Sequence, residues 1–490
     1  MDNSQVYQYE SLPGQNYIRL ISFQRDNQPR PIKIRLSIYP LNSAPSYQCL
    51  SYTWGNPSSS YSEDAEMLAL AYDSVDEIRV EGALLSVKFN LSDALEMLRE
   101  HAIADQHAEH FWIDAICINQ GSLEERASQV AIMSSIYSTA ERVIVWIGRE
   151  DEFTADAIHT ITSLGNIPKE QYAKLQSRDE YNPFSELARV GATPVQRENW
   201  LGLIAFSQRP FFSRVWVAQE IILAKTVMLV CGPYQIPWQL MANTVSLIMA
   251  TGWQHYVQLS YLRVNPYPMA LAGIYRRMLQ EKNLQLSRSL VYLETIRAGV
   301  TTYKHPAVFR YLLMSLRMFK ASDDRDKIYA LMGLAWKERP PFSTHPDALA
   351  PDYTLSVVEL YTKVTRVMIQ SQQNLRILGH VEDRSFRKLF DLPSWVPDFS
   401  STTTPPALDS RLVNRSYNAS KGLTVAPKLL DYYATVLEVA GFKLSTVKKV
   451  SDVSRNDIWE ERDGIGDDRW IQIFGFAAEI SEAQFRTLGK

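Results

Sequence analysis

The chain has 490 residues, 46% of them hydrophobic and 21% charged, with a formal net charge of −3. That length exceeds one ordinary core, so two or three domains are expected. The composition excludes a disordered chain, and the missing basic excess argues for no nucleic-acid partner. The three cysteines, Cys49, Cys117 and Cys231, lie far apart in apolar runs with no CxxC spacing. Buried, reduced thiols are therefore expected. No signal-peptide pattern opens the chain, and no apolar run approaches the ~20 residues of a membrane span. A cytoplasmic protein with no membrane span is the expectation.

Residues 1–46 read as a β-rich lead-in packed on the core, with 17–23 (YIRLISF) and 32–39 (IKIRLSIY) around a polar turn. The short strand 47–52 (YQCLSY) ends at Trp54-Gly55-Asn56-Pro57, a strong turn signal. Residues 58–75 read as a loop, and 77–89 as a hairpin turning at Glu81-Gly82. Asn90 is placed to cap a helix with Leu91, Ala94, Leu95 and Leu98 on one face. The run 111–118 (FWIDAICI) reads as a buried strand containing Asp114. After Asn119-Gln120-Gly121, Ser122 and Glu125 have capping-box spacing. The helix they open carries the stripe Val130, Met133, Ile136 and Tyr137. The run 142–148 (RVIVWIG) is continuously apolar, as in a parallel strand covered on both faces.

A polar stretch at 149–210 then interrupts the rhythm and reads as an insertion of helices and loops. Ser213 is placed to cap a helix over 214–225 (RVWVAQEIILAK), and 226–232 (TVMLVCG) is the strand after it. The expected division is a central α/β domain at 47–235, a helical domain at 236–400 and a C-terminal α+β region at 401–490. Within these, DDRDK at 323–327 opens a helix, 375–381 reads as a strand, 434–450 suggests hairpin strands and a helix starts near Trp470. The fold class is α/β: a mostly parallel sheet core with helical insertions, then a mainly helical region and a small β-containing end.

Glu220 is the sharpest chemical candidate. It breaks a helix that is apolar nearly all round, so it is expected to be buried with a raised pKa. Two roles stay open on the residues alone. One is a structural ion pair with Arg214 or Arg142; the other is a carboxylate held for function. Asp114 is either a buried aspartate paired with backbone or Arg donors, or a crevice wall. Asn119 and Gln120 stand before a helix N-terminus, where free N–H groups hold anions, though Gly121 stands alone and makes no glycine-rich loop. Trp54 and Gly55 either flank the same crevice or form a packed turn. Ser51, Arg214 and Trp216 complete the candidate pocket. Cys117 reads as an inert thiol. The eight histidines show no metal-ligand spacing, so no metal is expected. Acidic residues in DDRDK suit a helix N-terminus and an interface salt bridge.

Five motifs now stand in order: YQCLSYTWGNP at 47–57, FWIDAICINQ at 111–120, QVAIMSSIYSTAERVIVWIG at 129–148, RPFFSRVWVAQE at 209–220 and DDRDKIYALMGL at 323–334. Together they resemble the fungal heterokaryon-incompatibility (HET) domain. Cys49 departs from the small residue usual there, and Gly121 from a polar one. The resemblance implies non-self recognition between fused fungal cells, ending in programmed cell death. It also implies a distant similarity to TIR domains and a TIR-like or flavodoxin-like core, although the insertion at 149–210 departs from TIR spacing. In TIR domains that cleave NAD, a helix Glu shortly after a Trp acts on the nicotinamide ribose. By motif that position is Glu220, with Trp216 before it. NAD would then be substrate, with no cofactor required. The alternative is a non-catalytic module acting by self-association, in which Glu220 is structural. Either way an activator or incompatibility partner is implied, its specificity lying outside the shared motifs.

Overall fold

Runs of Val, Ile, Leu and aromatic residues, broken by turn signals, supply the strands of one large sheet. The computed structural model describes residues 5–24, 30–59, 65–104, 109–175, 183–253, 286–302, 308–335, 349–372, 375–402, 428–429 and 437–438. Nine strands form that sheet: β1 Tyr17–Phe23, β2 Lys33–Pro40, β3 Gln48–Tyr52, β4 Val75–Val80, β5 Ala83–Lys88, β6 Phe111–Trp112, β7 Arg142–Trp146, β8 Val227–Cys231 and β9 Tyr234–Pro237. Their spatial order is β5-β4-β2-β1-β6-β3-β7-β8-β9.

The centre of the sheet is parallel. β3 pairs in parallel with β6 on one side and β7 on the other, and β7 with β8. β1 joins β6 antiparallel, and β1–β2, β4–β5 and β8–β9 are antiparallel neighbours. The expectation of a mostly parallel sheet therefore holds for its core, whereas the sheet as a whole is mixed. Short connections between neighbouring strands permit only antiparallel pairing, and three of the antiparallel pairs are joined that way. Glu81 and Gly82 both have positive φ, as the two-residue turn between β4 and β5 demands.

Helices α1 Ala65–Tyr72, α2 Phe89–Ala104, α3 Asp114–Cys117, α4 Leu123–Thr139, α5 Thr154–Gly165, α6 Arg197–Ser207, α7 Val217–Ile222 and α8 Trp238–Thr251 follow the strands. Further helices at Arg288–Thr302, Val308–Ser315, Asp326–Ala335 and Val357–Gln372 make up the later region. Trp112 and Tyr137 pack edge to face, 5.5 Å between centroids, inside the core. Each fully buried aliphatic or aromatic side chain there contributes ~1.5–3 kcal/mol.

Several local expectations are corrected. The strand expected at 111–118 stops at Trp112, and Asp114 opens α3 instead. Its carboxyl accepts the Ala115 N–H at 2.7 Å, and the Ile113 carbonyl takes the N–H groups of Ile116 and Cys117. A short polar side chain bonding its own backbone competes with the strand ladder. The loop expected at 58–75 contains α1, and the strand expected at 375–381 is a 3-10 turn, Arg376–His380. Asn90 lies inside α2, and its side chain links other elements. Ser122 accepts the Glu125 N–H, but the Glu125 carboxylate does not return the bond. It goes instead to the Asn119 N–H and to buried Arg19, because a buried guanidinium must be paired. Of residues 401–490, Lys428–Leu429 and Leu437–Glu438 form a small antiparallel pair, β10 and β11. The rest of the expected hairpin and the helix near Trp470 lie outside the described residues.

The stretch 149–210 contains α5 and α6, and it is pinned at both ends by Arg209. The buried Arg209 guanidinium donates to the carbonyls of Ile147 and Arg149 and pairs with Asp151 at 2.6 Å. Gly148, just past β7, has φ of 107°. A Cβ there would lie 2.6 Å from Pro57 Cγ, so the Trp54–Pro57 turn rests directly on this glycine. Gly148→Ala is expected to destabilise the protein by about 1–3 kcal/mol in urea unfolding. Gly55→Ala, whose Cβ meets nothing within 4 Å, is expected to stay within ~0.5 kcal/mol of the parent. Equal effects of the two changes would refute this account of the turn.

Candidate functional site

The carboxyl end of β3 is where the candidate residues converge. Strand alternation puts Cys49 and Ser51 on one face. Ser51 donates its hydroxyl to Glu220 Oε2 in a short hydrogen bond. The Tyr137 hydroxyl, on α4, bonds the same carboxyl. Glu220 lies in α7 and is 2% exposed.

The helix expected over 214–225 is much shorter than its apolar run. Pro210–Ser213 is a 3-10 turn, Arg214 is extended and only Val217–Ile222 is α-helical. The Val215 N–H donates to the Lys320 carbonyl at 2.9 Å, so tertiary pairing takes the backbone groups that a longer helix would use. This extended step lets Arg214 turn back to the sheet, where it donates to the Tyr52 carbonyl.

Among the described residues Glu220 makes no ion pair. Arg142, one of the partners expected, sits opposite Gln48 at the other end of β3. Arg214 acts on Glu220 through its field. Burial pushes the Glu220 carboxyl above its ordinary value; Arg214 and the Ser51 and Tyr137 hydroxyls hold it down, and Asp114 pushes it up. Burial likewise raises Asp114, opposed by Arg214, the Ala115 N–H and Trp54. The site thus brings two carboxyls, one guanidinium and two hydroxyls together.

Trp54 is 43% exposed and donates its indole N–H to Asp114 Oδ2 at 3.0 Å. Asp114 is half-buried, so these two groups form the outer part of the cluster and Glu220 the inner part. Gly55 adjoins Trp54 and leaves open space around it. Asn119 and Gln120 serve the turn into α4: the Asn119 side chain accepts the Gly121 N–H, and Gln120 donates to the Asp114 carbonyl. Trp216 donates its indole N–H to Asp326 Oδ2 at 3.1 Å, in the later helical region. Cys117 is buried, and burial pushes its thiol up to about 12. Tyr137 was legible only as a core-stripe residue. The available signal is chemical: a buried Tyr hydroxyl needs a partner.

This is an α/β protein with a helix-borne buried carboxyl at the carboxyl end of its central parallel strand. Residues 47–220 match the family model described as Heterokaryon incompatibility protein (HET), which places a HET domain in that stretch of the chain. It is 24% identical over 459 residues to "Heterokaryon incompatibility protein 6, OR allele" of Neurospora crassa, covering 86% of this chain and 62% of that relative. The chain thus spans a little under two thirds of that relative's length. No solved structure matches it. Among the described residues no helix is long and apolar enough to cross a membrane.

The Glu220 carboxyl has a signed effect on stability. Its folded-state pKa is raised, so its favourable share is complete below the ordinary value of 4.5 and is lost as pH rises through the folded value. Glu220→Gln removes that dependence. In urea unfolding from about pH 4 to about pH 8, the parent is expected to lose stability relative to Glu220→Gln as pH rises. Parallel curves would contradict the raised value.

Proposed function

We propose that this HET-domain protein is an incompatibility effector of fungal non-self recognition, leading to programmed cell death. We further propose that it cleaves NAD or a related nucleotide at the nicotinamide–ribose bond through Glu220. The observation that carries this reading is the state of Glu220: a buried carboxyl bonded by hydroxyls, without an ion pair among the described residues, at the end of a parallel strand.

Topology supports that placement. The parallel strands at the centre of the sheet lie in the order β6-β3-β7-β8, which in chain sequence is second, first, third, fourth, and β2 and β4 form a separate parallel pair. That central order is similar to a flavodoxin-like one, and open sheets of that kind bind ligands beyond the carboxyl ends of the strands where the order reverses. Here the reversal lies between β3 and β7, beside Ser51. We take 47–235 as the effector unit with 149–210 as its insertion, and 236–400 as a helical partner region.

The chemistry asks little of the protein. The ribose C1′–nitrogen bond breaks and its electron pair stays on the ring nitrogen, so nicotinamide leaves neutral. A water oxygen bonds C1′ and a proton passes to solvent. The transition state is oxocarbenium-like, and an ionised carboxylate beside it is stabilising. Two carboxyls near a single guanidinium leave a negative excess when both ionise, and a cationic nicotinamide riboside supplies the missing charge. The cycle needs no cofactor.

A second reading has its own observation. Glu220 is sealed at 2% exposure with Ser51 and Tyr137 satisfying it, as in a structural carboxyl. In that reading the protein signals by self-association or through a protein activator. Incubation of the purified chain with NAD separates the two. Nicotinamide release is expected, falling roughly 100-fold or more in folded Glu220→Gln. The acid limb of the pH profile should lie above 4.5, because the ionised form acts and its pKa is raised. Turnover by Glu220→Gln at the parent rate would sink the catalytic role. Cell killing that survives Glu220→Gln would favour assembly.

A further inference from the structure

α7 is too short to orient its own carboxyl. It has six residues, and its N-cap, Trp216, makes no side-chain capping bond. Isolated helices of that length are unstable in water. The direction of Glu220 must therefore be set by what holds residues 213–220 from outside.

The sheet supplies one side of that hold, through Ser51 and Tyr52. The later helical region supplies the other. Lys320 pairs with Ser213 and Val215 across the extended step at Arg214. Asp326 Oδ2 accepts the Trp216 indole N–H at 3.1 Å. Gln219 donates to the Tyr329 carbonyl at 3.3 Å. Gly333 brings the helix Asp326–Ala335 so close that an added Cβ would lie 2.8 Å from Gln219 Oε1 and 2.6 Å from Ser134 Cβ. Asp326 is 6% exposed, and its other oxygen accepts the Tyr353 hydroxyl at 2.7 Å. Arg126 lies 3.8 Å from Asp326 Oδ2 and 3.8 Å over the Tyr353 ring. The buried Lys327 ammonium caps the carbonyls of Arg317 and Phe319, fixing the turn that presents Lys320.

We infer that Asp326 is a positioning residue for Glu220, acting through Trp216. The Glu220 N–H donates to the Trp216 carbonyl at 3.3 Å, so fixing the indole fixes the turn that carries the carboxyl. The family match ends at Glu220, whereas the groups that aim it extend to Tyr353. Only the kinetic arm of this inference rests on the proposed nicotinamide cleavage.

The test uses the full chain in four forms: Asp326→Asn, Asp326→Ala, Trp216→Phe and the double variant Asp326→Ala/Trp216→Phe. Hydrogen exchange is read in peptides covering 213–223, with peptides from α5 and α6 as reference. Asp326→Ala and Trp216→Phe are expected to speed exchange in 213–223 alone. Asp326→Asn keeps acceptor oxygen for the indole and is expected to stay near the parent. In nicotinamide release, Asp326→Ala is expected to lower kcat about tenfold, the worth of one hydrogen bond, with KM little changed. The double variant should lose no more than either single one, since both break one contact. Unchanged exchange at 213–223, an equal rise throughout, or damage by Asp326→Asn matching that by Asp326→Ala would each overturn the inference. Should Asp326→Ala fail to fold, Trp216→Phe gives the same reading. A parent chain that releases no nicotinamide would refute the proposed chemistry, and exchange would still decide the positioning role.

Discussion

Three consecutive residues at the end of β3 hold separate parts of the molecule together. Ser51 bonds Glu220 of α7, the Tyr52 carbonyl takes Arg214, and the Thr53 carbonyl takes the Asn90 amide at 2.6 Å. Asn90 in turn accepts the Trp146 indole N–H at 2.9 Å, joining α2 to β7. A strand end would otherwise leave these groups unpaired in a buried place, where each costs about 1–3 kcal/mol. Satisfying them requires α2, β7 and α7 to meet at one point. The cluster around Glu220 is thus a consequence of backbone and side-chain accounting at the end of the central strand.

The same constraint shapes the electrostatics. The guanidinium of Arg214 acts on both Glu220 and Asp114, and it is also engaged by the Tyr52 carbonyl. Burial raises both carboxyls, and each ionised one raises the other. Other carboxyls in this chain are given a close cation, as Glu125 is given Arg19 at 2.5 Å. Asp151 receives Arg209 in the same way. Glu220 is treated differently, with hydroxyl donors and a cation held one residue's carbonyl away.

How much of this was legible in the sequence follows from which interactions are local. The β4–β5 turn and the Ser122 half of the capping box depend on neighbouring residues, and both form; the Glu125 half is lost to Arg19, a distant partner. The α/β class follows from apolar runs and their spacing. What was missed depends on distant partners. The strand through Asp114 was read from apolar neighbours, but the side chain bonded its own backbone. The long helix after Ser213 was read from an apolar run, but Lys320 claimed the backbone at its start. Ser51, Asp114, Arg214 and Glu220 were each nameable from motifs and do meet in space. Tyr137 and Asp326 were read as a stripe residue and a helix-opening acid, because local patterns fully explain them. Their second roles exist only in three dimensions.

The motifs acquire a common physical meaning from this arrangement. YQCLSYTWGNP provides Ser51, the Tyr52 and Thr53 carbonyls, Trp54 and the Pro57 that rests on Gly148. FWIDAICINQ provides Asp114, and the helix–strand motif after it provides Tyr137, Trp146 and Gly148. RPFFSRVWVAQE provides Arg209, Arg214, Trp216 and Glu220. DDRDKIYALMGL, beyond the family match, provides Asp326 and Gly333. Each motif thus supplies groups to the cluster at the end of β3 or holds the backbone around it. The fifth motif does so through Trp216. A six-residue helix bearing a buried carboxyl needs rigid support on both sides, and the sheet touches only one.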